Sequence, residues 1–285
     1  MRGMLVVGIA LAVALATAVQ TRSTTYPPQV TIIGDSVSTA ITRYDDLTTV
    51  VGSGLRVDWE VAICRRVAGV SCPFQGTRPS TLVDLVPTLP AVAPVVVVEL
   101  GYNDPQNVFA AEVDQAMRAL LARGAQHVIW LTLHSAIPPY PELDDILRQA
   151  QSRWPQLELL DWDAASADHP SWFQEDAIHL DKRGGRALAG LIRSAIVKYV
   201  TPLHVTRPAV RRLPFTAVLR ASGGVAPYTW RLAGGTLPRG VHLLANGRLY
   251  GRPEALRARV EVEDATGAIA IARIAISGAR ATSSR

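Results

Sequence analysis

The stretch Val30-Thr31-Ile32-Ile33-Gly34-Asp35-Ser36 places four β-favouring residues directly before a Gly-Asp-Ser turn. A short run of β-branched residues that ends at glycine and aspartate predicts a buried strand followed by a turn. A helix is expected from Val37 onward. Strand, turn and helix in this order form the first unit of an α/β fold, with Ser36 at the carboxyl end of the strand.

The same alternation continues to about residue 200. Further apolar segments that predict strands lie at 55–63, 91–100, 127–133 and 157–162. Segments with helical spacing or capping residues lie between and after them, at 80–89 with Ser80 as the expected cap, 110–123, 141–154 and 182–200. The alternation predicts a doubly wound parallel sheet in a three-layer α/β/α domain over residues 28–200, with functional residues at the carboxyl ends of the strands.

The pattern changes after Thr201. Short alternating segments are now separated by turns that contain glycine, at 223–224, 234–235, 246–247 and 266–267. This punctuation predicts a linker at 201–208, a small all-β sandwich at 209–278 and a disordered polar tail at 279–285. Tyr228 and Trp230 alternate to pack one sheet face. The order of turns resembles the immunoglobulin-like, cadherin-like repeats of secreted bacterial proteins, a resemblance that implies a spacer or adhesion unit.

The amino-terminal segment is apolar without interruption from residue 4 to residue 19, behind Arg2. Ala16-Thr17-Ala18 supplies the small-x-small pattern of a signal peptidase site, so we expect residues 1–18 to be a cleaved signal peptide and the protein to be secreted. The alternative is an uncleaved anchor that retains the protein. The run is shorter than the ~20 apolar residues that usually span a bilayer, which argues against stable membrane insertion.

Composition excludes several classes of protein. The 285 residues are 48% hydrophobic and 19% charged, which excludes a mainly disordered chain. The net charge of +5 is spread without a sustained basic run, so nucleic acid is not an expected partner. Cys64 and Cys72 form an even pair, which in an exported protein predicts a disulfide. The alternative, a catalytic thiolate, has positive neighbours but no nearby histidine.

Four polar residues lie where the predicted strands and helices end. Ser36 follows the first strand, Asn103 follows a buried valine strand in Gly101-Tyr102-Asn103-Asp104, and Asp176 and His179 precede the closing helix. A serine hydroxyl attacks an ester only if a base removes its proton. His179 can be that base, and Asp176 can orient the imidazole. The Asn103 amide and the Ser36 backbone N–H can donate to a developing oxyanion.

These blocks resemble those of the SGNH hydrolases, also called GDSL lipases and esterases. The resemblance rests on Gly34-Asp35-Ser36, Gly101-Tyr102-Asn103-Asp104 and Asp176-Ala177-Ile178-His179-Leu180, in the right order across residues 28–200. It implies a flavodoxin-like α/β/α fold and ester chemistry without a metal or organic cofactor. It also implies Ser36 as nucleophile, His179 as base, Asp176 as its partner, and Asn103 with the Ser36 N–H as the oxyanion hole.

One block departs from the family. The second block normally supplies a glycine N–H to the oxyanion hole, but residues 60–66 here contain no glycine. Cys64 or Arg65 could supply that backbone N–H, with the Cys64–Cys72 bridge fixing the loop. Arg65 or Arg66 could instead pair with Asp35 or line the substrate entrance. Asp35, Arg65 and Tyr102 are the expected substrate-lining residues.

Other chemistry is less well supported by the sequence. Ser135 is a weaker nucleophile candidate that fits a strand end. Asp161 and Asp163 have no histidine or cysteine spacing beside them that would support a metal site. The G-x-S-x-G elbow of α/β-hydrolases is absent around Ser36, because position 38 is serine.

The sequence therefore predicts a secreted serine esterase or acylhydrolase that forms an acyl-enzyme on Ser36. Its substrate would be an ester, either of an acylated polysaccharide or of a lipid. The first alternative is an extracellular O-acyltransferase with the same triad. The second is a non-catalytic adhesion or carbohydrate-binding protein of the cell surface. Neither the acyl chain length nor the oligomeric state is fixed by the sequence.

Overall fold

The computed structural model describes residues 28–135, 137–206, 215–252 and 255–277. The expected signal peptide at 1–18 and the expected tail at 279–285 lie outside the described residues, as do the end of the expected linker and residues 209–214 of the expected sandwich.

A five-stranded parallel sheet forms the centre of residues 28–200, in the order β2-β1-β3-β4-β5. The strands are β1 Val30–Gly34, β2 Val57–Val61, β3 Val95–Glu99, β4 His127–Leu131 and β5 Leu157–Leu160. Gly34 at the end of β1 aligns with Val61 on one side and with Glu99 on the other. The carboxyl ends of three strands therefore meet at one edge, and the predicted fold class is confirmed.

Helices cover both faces of this sheet. They are α1 Thr39–Thr42, α2 Asp45–Gly52, α3 Leu82–Leu85, α4 Gln106–Ala122, α5 Tyr140–Arg153, α6 Trp162–Ser166 and α7 Lys182–Ile196. Alternate strand residues point to opposite faces. Val96 and Val98 pack with α4 and α5, whereas Val95 and Val97 pack with α2 and α7. The four-valine run is therefore buried because each of its faces has a helical layer.

Some element boundaries differ from the predictions. The chain turns after β1, and its first helix begins at Thr39 rather than Val37 and has only four residues. Thr81, not Ser80, caps α3, because its side chain accepts the N–H of Asp84. The closing helix ends at Ile196, four residues earlier than expected.

The described carboxyl-terminal residues form small antiparallel sheets. Their strands are β6 His204–Thr206, β7 Phe215–Val218, β8 Arg220–Ser222, β9 Thr229–Leu232, β10 His242–Leu243, β11 Arg248–Gly251, β12 Ala255–Glu263 and β13 Ile269–Ser277. They pair as β10-β11-β7, β13-β12-β9 and β6-β8. Part of the expected linker is thus strand β6. The turns at 246–247 and 266–267 join antiparallel neighbours, as predicted. Trp230 is buried in the core between these strands, and Tyr228 packs against that core.

Backbone hydrogen bonds connect the two parts of the chain. Gly54, after α2, donates to the carbonyl of Ile269 at 2.9 Å and accepts the N–H of Leu203 at 2.8 Å. A Cβ at Gly54 would lie 2.9 Å from the nitrogen of Leu203, and its φ of 72° is left-handed, so the close approach requires glycine. Among the described residues, no helix is both long and apolar enough to cross a membrane.

Candidate active site

Ser36, His179 and Asp176 meet at the carboxyl edge of the sheet. The Nε2 of His179 lies 2.9 Å from the Oγ of Ser36, and its Nδ1 lies 2.6 Å from the Oδ2 of Asp176. Ser36 follows β1 directly, while the other two residues lie in the loop before α7. The structure thus brings together three predicted residues that are up to 143 positions apart in the chain.

Hydrogen bonds within the loop fix the backbone around His179. The Oδ1 of Asp176 accepts the N–H groups of Ile178 and His179, each at 2.9 Å. Ala177 adopts a left-handed φ of 55° inside this turn. The N–H of Gln174 donates to the carbonyl of His179 at 2.7 Å. These bonds fix the histidine backbone, so the imidazole is oriented before any substrate arrives.

The charge state of Asp176 fixes the histidine tautomer. Partial burial raises the pKa of Asp176, but hydrogen bonds from the His179 ring and from the backbone outweigh it and hold that pKa below its usual value. Asp176 is therefore ionised at neutral pH and accepts the Nδ1–H of His179. The lone pair of Nε2 then faces the hydroxyl of Ser36, as a general base requires.

Two backbone N–H groups beside the nucleophile are free to bind an oxyanion. Neither Ser36 nor Cys64 has a partner for its N–H among the described residues, whereas Arg65 donates its N–H to the carbonyl of Ala62 at 3.1 Å. Cys64 has a left-handed φ of 70°, a conformation in which glycine is usual. Of the two residues proposed to replace the missing glycine, Cys64 is the one with an available donor.

Asn103 is close to this position but is already engaged. Its Nδ2 donates to the Oδ2 of Asp35 at 3.0 Å and to the carbonyl of Arg65 at 3.3 Å. Its Oδ1 lies 3.8 Å from the Sγ of Cys72. The amide therefore lies between the nucleophile turn and the disulfide loop, and it can serve an oxyanion by exchanging one of its two present acceptors.

The predicted disulfide is confirmed. Cys64 and Cys72 are joined with an S–S distance of 2.07 Å and Cα atoms 5.2 Å apart. The bond consumes both thiols, so the alternative of a catalytic cysteine is wrong. It closes the loop that carries the free N–H of Cys64.

Glu99 is a site residue that the sequence analysis missed. It ends β3 and is 2% exposed, and its Oε2 accepts the N–H of Ser38 at 3.1 Å and the Oγ of Ser38 at 2.8 Å. A Cβ at Gly34 would lie 2.7 Å from the Cβ of Ser38, so glycine allows this close approach. The available signal was an acidic residue at the end of an otherwise apolar buried strand.

Asp35 and Glu99 form a buried carboxyl pair below the nucleophile. Burial raises the pKa of Asp35 to about 6, although hydrogen bonds from Val37 and Glu99 act in the opposite direction. Burial, together with the neighbouring Asp35 charge, raises the pKa of Glu99 well above its usual value. Of the two carboxyl groups, Glu99 therefore has the greater tendency to hold a proton.

The expected substrate-lining roles of Asp35 and Arg65 are wrong. Asp35 is 0% exposed, so no substrate reaches it. Arg65 is buried and donates through Nη1 to the carbonyl of Ser80, which ties the disulfide loop to the start of α3. Arg66 binds Asp104 and Glu112 instead of Asp35. These cations hold the loop around the site rather than face its opening.

Tyr102 is half-buried between neighbouring elements. Its hydroxyl accepts the N–H of His134 at 2.7 Å, and its ring packs edge-on against Tyr140. Burial raises the pKa of Tyr102 well above its usual value, so the phenol is neutral.

Ser135 does not form a second triad. Its Oγ donates to the Oδ1 of Asp163 at 2.7 Å. Asp161 caps α6 by accepting the N–H of Ala164. Within the described ranges no group of three or more histidine, cysteine, aspartate or glutamate side chains could hold a metal ion.

Comparison with known proteins gives partial matches. No family profile matches the chain. A segment of 106 residues is 30% identical to the O-acetyltransferase OatA of Staphylococcus aureus, covering 37% of this chain and 17% of the length of that protein.

Several solved structures have limited similarity to this chain. The catalytic domain of Streptococcus pneumoniae peptidoglycan O-acetyltransferase A is 17% identical with a TM-score of 0.45, covering 60% of this chain and 93% of that chain. TesA is 17% identical with a TM-score of 0.46, and the match covers 59% of this chain and 97% of the TesA chain. A carbohydrate esterase family 3 protein from Talaromyces cellulolyticus is 14% identical with a TM-score of 0.41, covering 59% and 96%.

These overall similarities are low. The β2-β1-β3-β4-β5 parallel sheet, with a serine after β1 and an Asp-x-x-His loop before the last helix, is the arrangement that the sequence analysis led us to expect.

Proposed function

We propose that this protein is a secreted serine esterase or acylhydrolase that cleaves carboxylic esters through an acyl-enzyme on Ser36. One observation carries the proposal: a continuous hydrogen-bonded chain runs from the hydroxyl of Ser36 through the ring of His179 to the carboxylate of Asp176, with distances of 2.9 and 2.6 Å. A serine with both partners in place is activated for attack on an acyl group.

In the first step, His179 takes the proton of Ser36 while Oγ attacks the ester carbonyl. The tetrahedral intermediate collapses, the C–O bond to the alcohol breaks, and His179 gives its proton to the leaving alcohol. In the second step, water loses a proton to His179 and attacks the acyl-enzyme, which releases the acid and restores Ser36. Asp176 remains ionised and stabilises the imidazolium in both steps.

The oxyanion is proposed to bind the N–H groups of Ser36 and Cys64, and the Nδ2 of Asn103. The support is that both backbone donors are unpaired among the described residues and that Asn103 lies against the same loop. Donors aimed at developing charge contribute more to the rate than to ground-state binding.

A transferase with the same triad is the second candidate. In that case the hydroxyl of a sugar replaces water in the second step, and the ester is moved rather than hydrolysed. The 106-residue similarity to an O-acetyltransferase supports this candidate.

The remaining proposals concern location and domains. The apolar run at 4–19 and the disulfide support export to an oxidising compartment. We propose residues 28–200 as the catalytic domain and the carboxyl-terminal antiparallel sheets as an immunoglobulin-like accessory module. An acylated polysaccharide or a lipid is the proposed class of substrate.

The test is hydrolysis of p-nitrophenyl esters of increasing acyl length by the protein and by its Ser36→Ala variant. Ser152→Ala is the matched control, because Ser152 is exposed on α5 and bonds only within its own helix. We expect Ser36→Ala to lose at least ~10³-fold in kcat and Ser152→Ala to match the parent protein. Equal rates for all three proteins would reject the proposal, and rates no higher than the uncatalysed background would favour a non-catalytic adhesion protein.

Transfer is distinguished from hydrolysis in the same assay. A soluble glycan is added as acceptor, and the acetylated glycan is measured beside free acetate. Acetylated glycan in excess over acetate identifies a transferase.

A further inference from the structure

We infer that a cavity beside the triad binds the alcohol half of the substrate and that it takes a neutral, polyhydroxylated alcohol such as a sugar ring. This inference rests on the proposed function. The cavity, here called the hydroxyl pocket, has a volume of about 490 Å³. Its walls include His134, Ser135, Asp163, Phe173, Gln174 and Ala177.

The hydroxyl pocket shares a wall with the catalytic loop. Ala177 lies between Asp176 and His179, and its N–H donates to the carbonyl of Gln174 at 3.0 Å. On its other side, the N–H of His134 donates to the hydroxyl of Tyr102, the neighbour of Asn103. The pocket is therefore lined by the loop that holds the base, and another of its walls is hydrogen-bonded to the loop that holds the proposed oxyanion donor. Neither Ser36 nor His179 lines the pocket, so it can hold only a part of the substrate that extends beyond the ester.

Asp163 gives the pocket a fixed hydrogen-bond acceptor. Its Oδ1 accepts both the N–H of Ser135 at 2.8 Å and the Oγ of Ser135 at 2.7 Å. These two bonds orient the carboxylate. Its Oδ2 has no partner in the part of the chain that the structure describes, so it can accept a hydroxyl from a ligand.

His134 supplies a second acceptor, because its tautomer is fixed by Ser166. The hydroxyl of Ser166 donates to the carbonyl of Trp162 at 2.7 Å, so it can only accept from the Nδ1 of His134, 2.8 Å away. Nδ1 therefore carries the proton and Nε2 carries a lone pair. Burial lowers the pKa of His134 despite the nearby Asp163 charge, so the ring stays neutral.

The remaining walls complete the chemistry. The Nε2 of Gln174 donates to the carbonyl of Leu180 at 3.1 Å, which leaves the Oε1 of Gln174 as a further acceptor. Phe173 stacks on His134 with ring centroids 4.0 Å apart and forms a flat apolar wall. None of the described lining residues is lysine or arginine. The pocket thus offers several acceptors without a cation, which suits an uncharged ligand with several hydroxyls and disfavours carboxylates and phosphates.

Direct binding tests the pocket without turnover. Methyl glucoside, cyclohexanol and glucose 6-phosphate are titrated into the Ser36→Ala protein and followed by saturation-transfer NMR. We expect a signal for methyl glucoside that is at least ~5-fold stronger than for the other two, and its loss in Ser36→Ala/Asp163→Asn. Asp168→Asn is the matched control, because Asp168 is an exposed aspartate just beyond α6 and does not line the pocket.

Kinetics provide the second arm. Asp163→Asn should raise KM for an acetylated methyl glucoside by about 10-fold and change kcat/KM for ethyl acetate less than twofold, because ethanol is too small to reach the acceptors. Ala167→Phe fills the same pocket without removing a side-chain hydrogen bond and should act in the same direction. This second variant keeps the test valid if Asp163→Asn does not fold.

The outcomes separate this inference from the proposed function. Ethyl acetate cleavage with no effect of the pocket variants on the sugar ester overturns the inference and leaves the esterase intact. Equal losses on both esters also overturn it, because they show a general structural role. No cleavage of any ester by the parent protein rejects the proposed function, while glucoside binding to the pocket is still scored by NMR.

Discussion

Glu99 and Asp35 place two carboxyl groups against each other beneath the nucleophile turn, with exposures of 2% and 0%. The carbonyl of Glu99 accepts the N–H of Asp35 at 3.2 Å, and its Oε2 holds Ser38. Asp35 in turn accepts from Val37 and Asn103. Two buried carboxyl groups therefore connect the residues on both sides of Ser36 to the proposed oxyanion donor.

The first prediction concerns the protonation of Glu99. Glu99→Gln should stay within ~3-fold of the parent kcat, because the oxygen of an uncharged amide can still accept the N–H and the hydroxyl of Ser38. Glu99→Leu should lower kcat by ~10–100-fold and the free energy of unfolding by about 1–3 kcal/mol, because it leaves the N–H and the hydroxyl of Ser38 buried without their acceptor.

Steady-state kinetics and urea unfolding measure both effects. Glu142→Gln is the control, since Glu142 is exposed on α5. If Glu99→Gln proved as damaging as Glu99→Leu, Glu99 would have to act as an anion.

The second prediction concerns Asn103. Asn103→Ala should lower kcat by 10²–10³-fold with little change in KM, because an oxyanion donor acts in the transition state. Asn103→Asp should lower kcat at least as much and also destabilise the fold above pH 6, because it places a second carboxylate against Asp35.

The pH dependence of unfolding for the two variants separates these effects. A rise in KM with unchanged kcat in Asn103→Ala would show that Asn103 binds the ground state only.

The third prediction concerns the disulfide. Replacing Cys64 and Cys72 together by serine should lower kcat by ~10-fold or more, because the loop that carries the Cys64 N–H and contacts Asn103 is no longer closed. The free energy of unfolding should fall by about 2 kcal/mol, as expected for a short closed loop.

Treatment of the parent protein with a thiol reductant should reproduce the loss of activity and leave the double serine variant unchanged. Full activity and full stability in the double variant would show that the disulfide does not fix the site.

The fourth prediction concerns Asp144, away from the triad. Burial raises its pKa to about 7 from a usual value of 3.8, while its Oδ1 accepts the N–H of Leu133. Between pH 4 and pH 7, the native state therefore keeps the proton of Asp144, whereas the unfolded state has lost it. Stability from this group is fully present below pH 4 and is lost as pH rises through 7.

Asp144→Asn should flatten this decline and be at least as stable as the parent protein at pH 8, because an amide keeps the bond to Leu133 without a charge. Urea unfolding at pH 5 and pH 8 measures it, with the exposed Asp145→Asn as control. A parent protein that gains stability from pH 5 to pH 8, with Asp144→Asn reducing that gain, would contradict the assignment.

Site residues could be predicted where their neighbours in the sequence mark the end of a strand or the start of a helix. Ser36, Asn103, Asp176 and His179 stand at the ends of strands or before a helix, and parallel strands bring such ends to one edge. Their convergence could therefore be predicted. The roles of Asp35 and Arg65 could not, because the sequence does not show which face of a turn is buried.

By itself, the sequence determined the order of strands and helices, the two hairpin turns in the carboxyl-terminal part, and the cysteine pair. Periodicity, turn residues and composition act over a few neighbouring positions, so they can be read directly. The tertiary structure alone decided that Glu99 meets Ser38 across 61 positions, that Cys64 turns left-handed with a free N–H, and that Asn103 binds Asp35. Those features depend on burial and on contacts between distant segments, which exist only after the sheet has assembled.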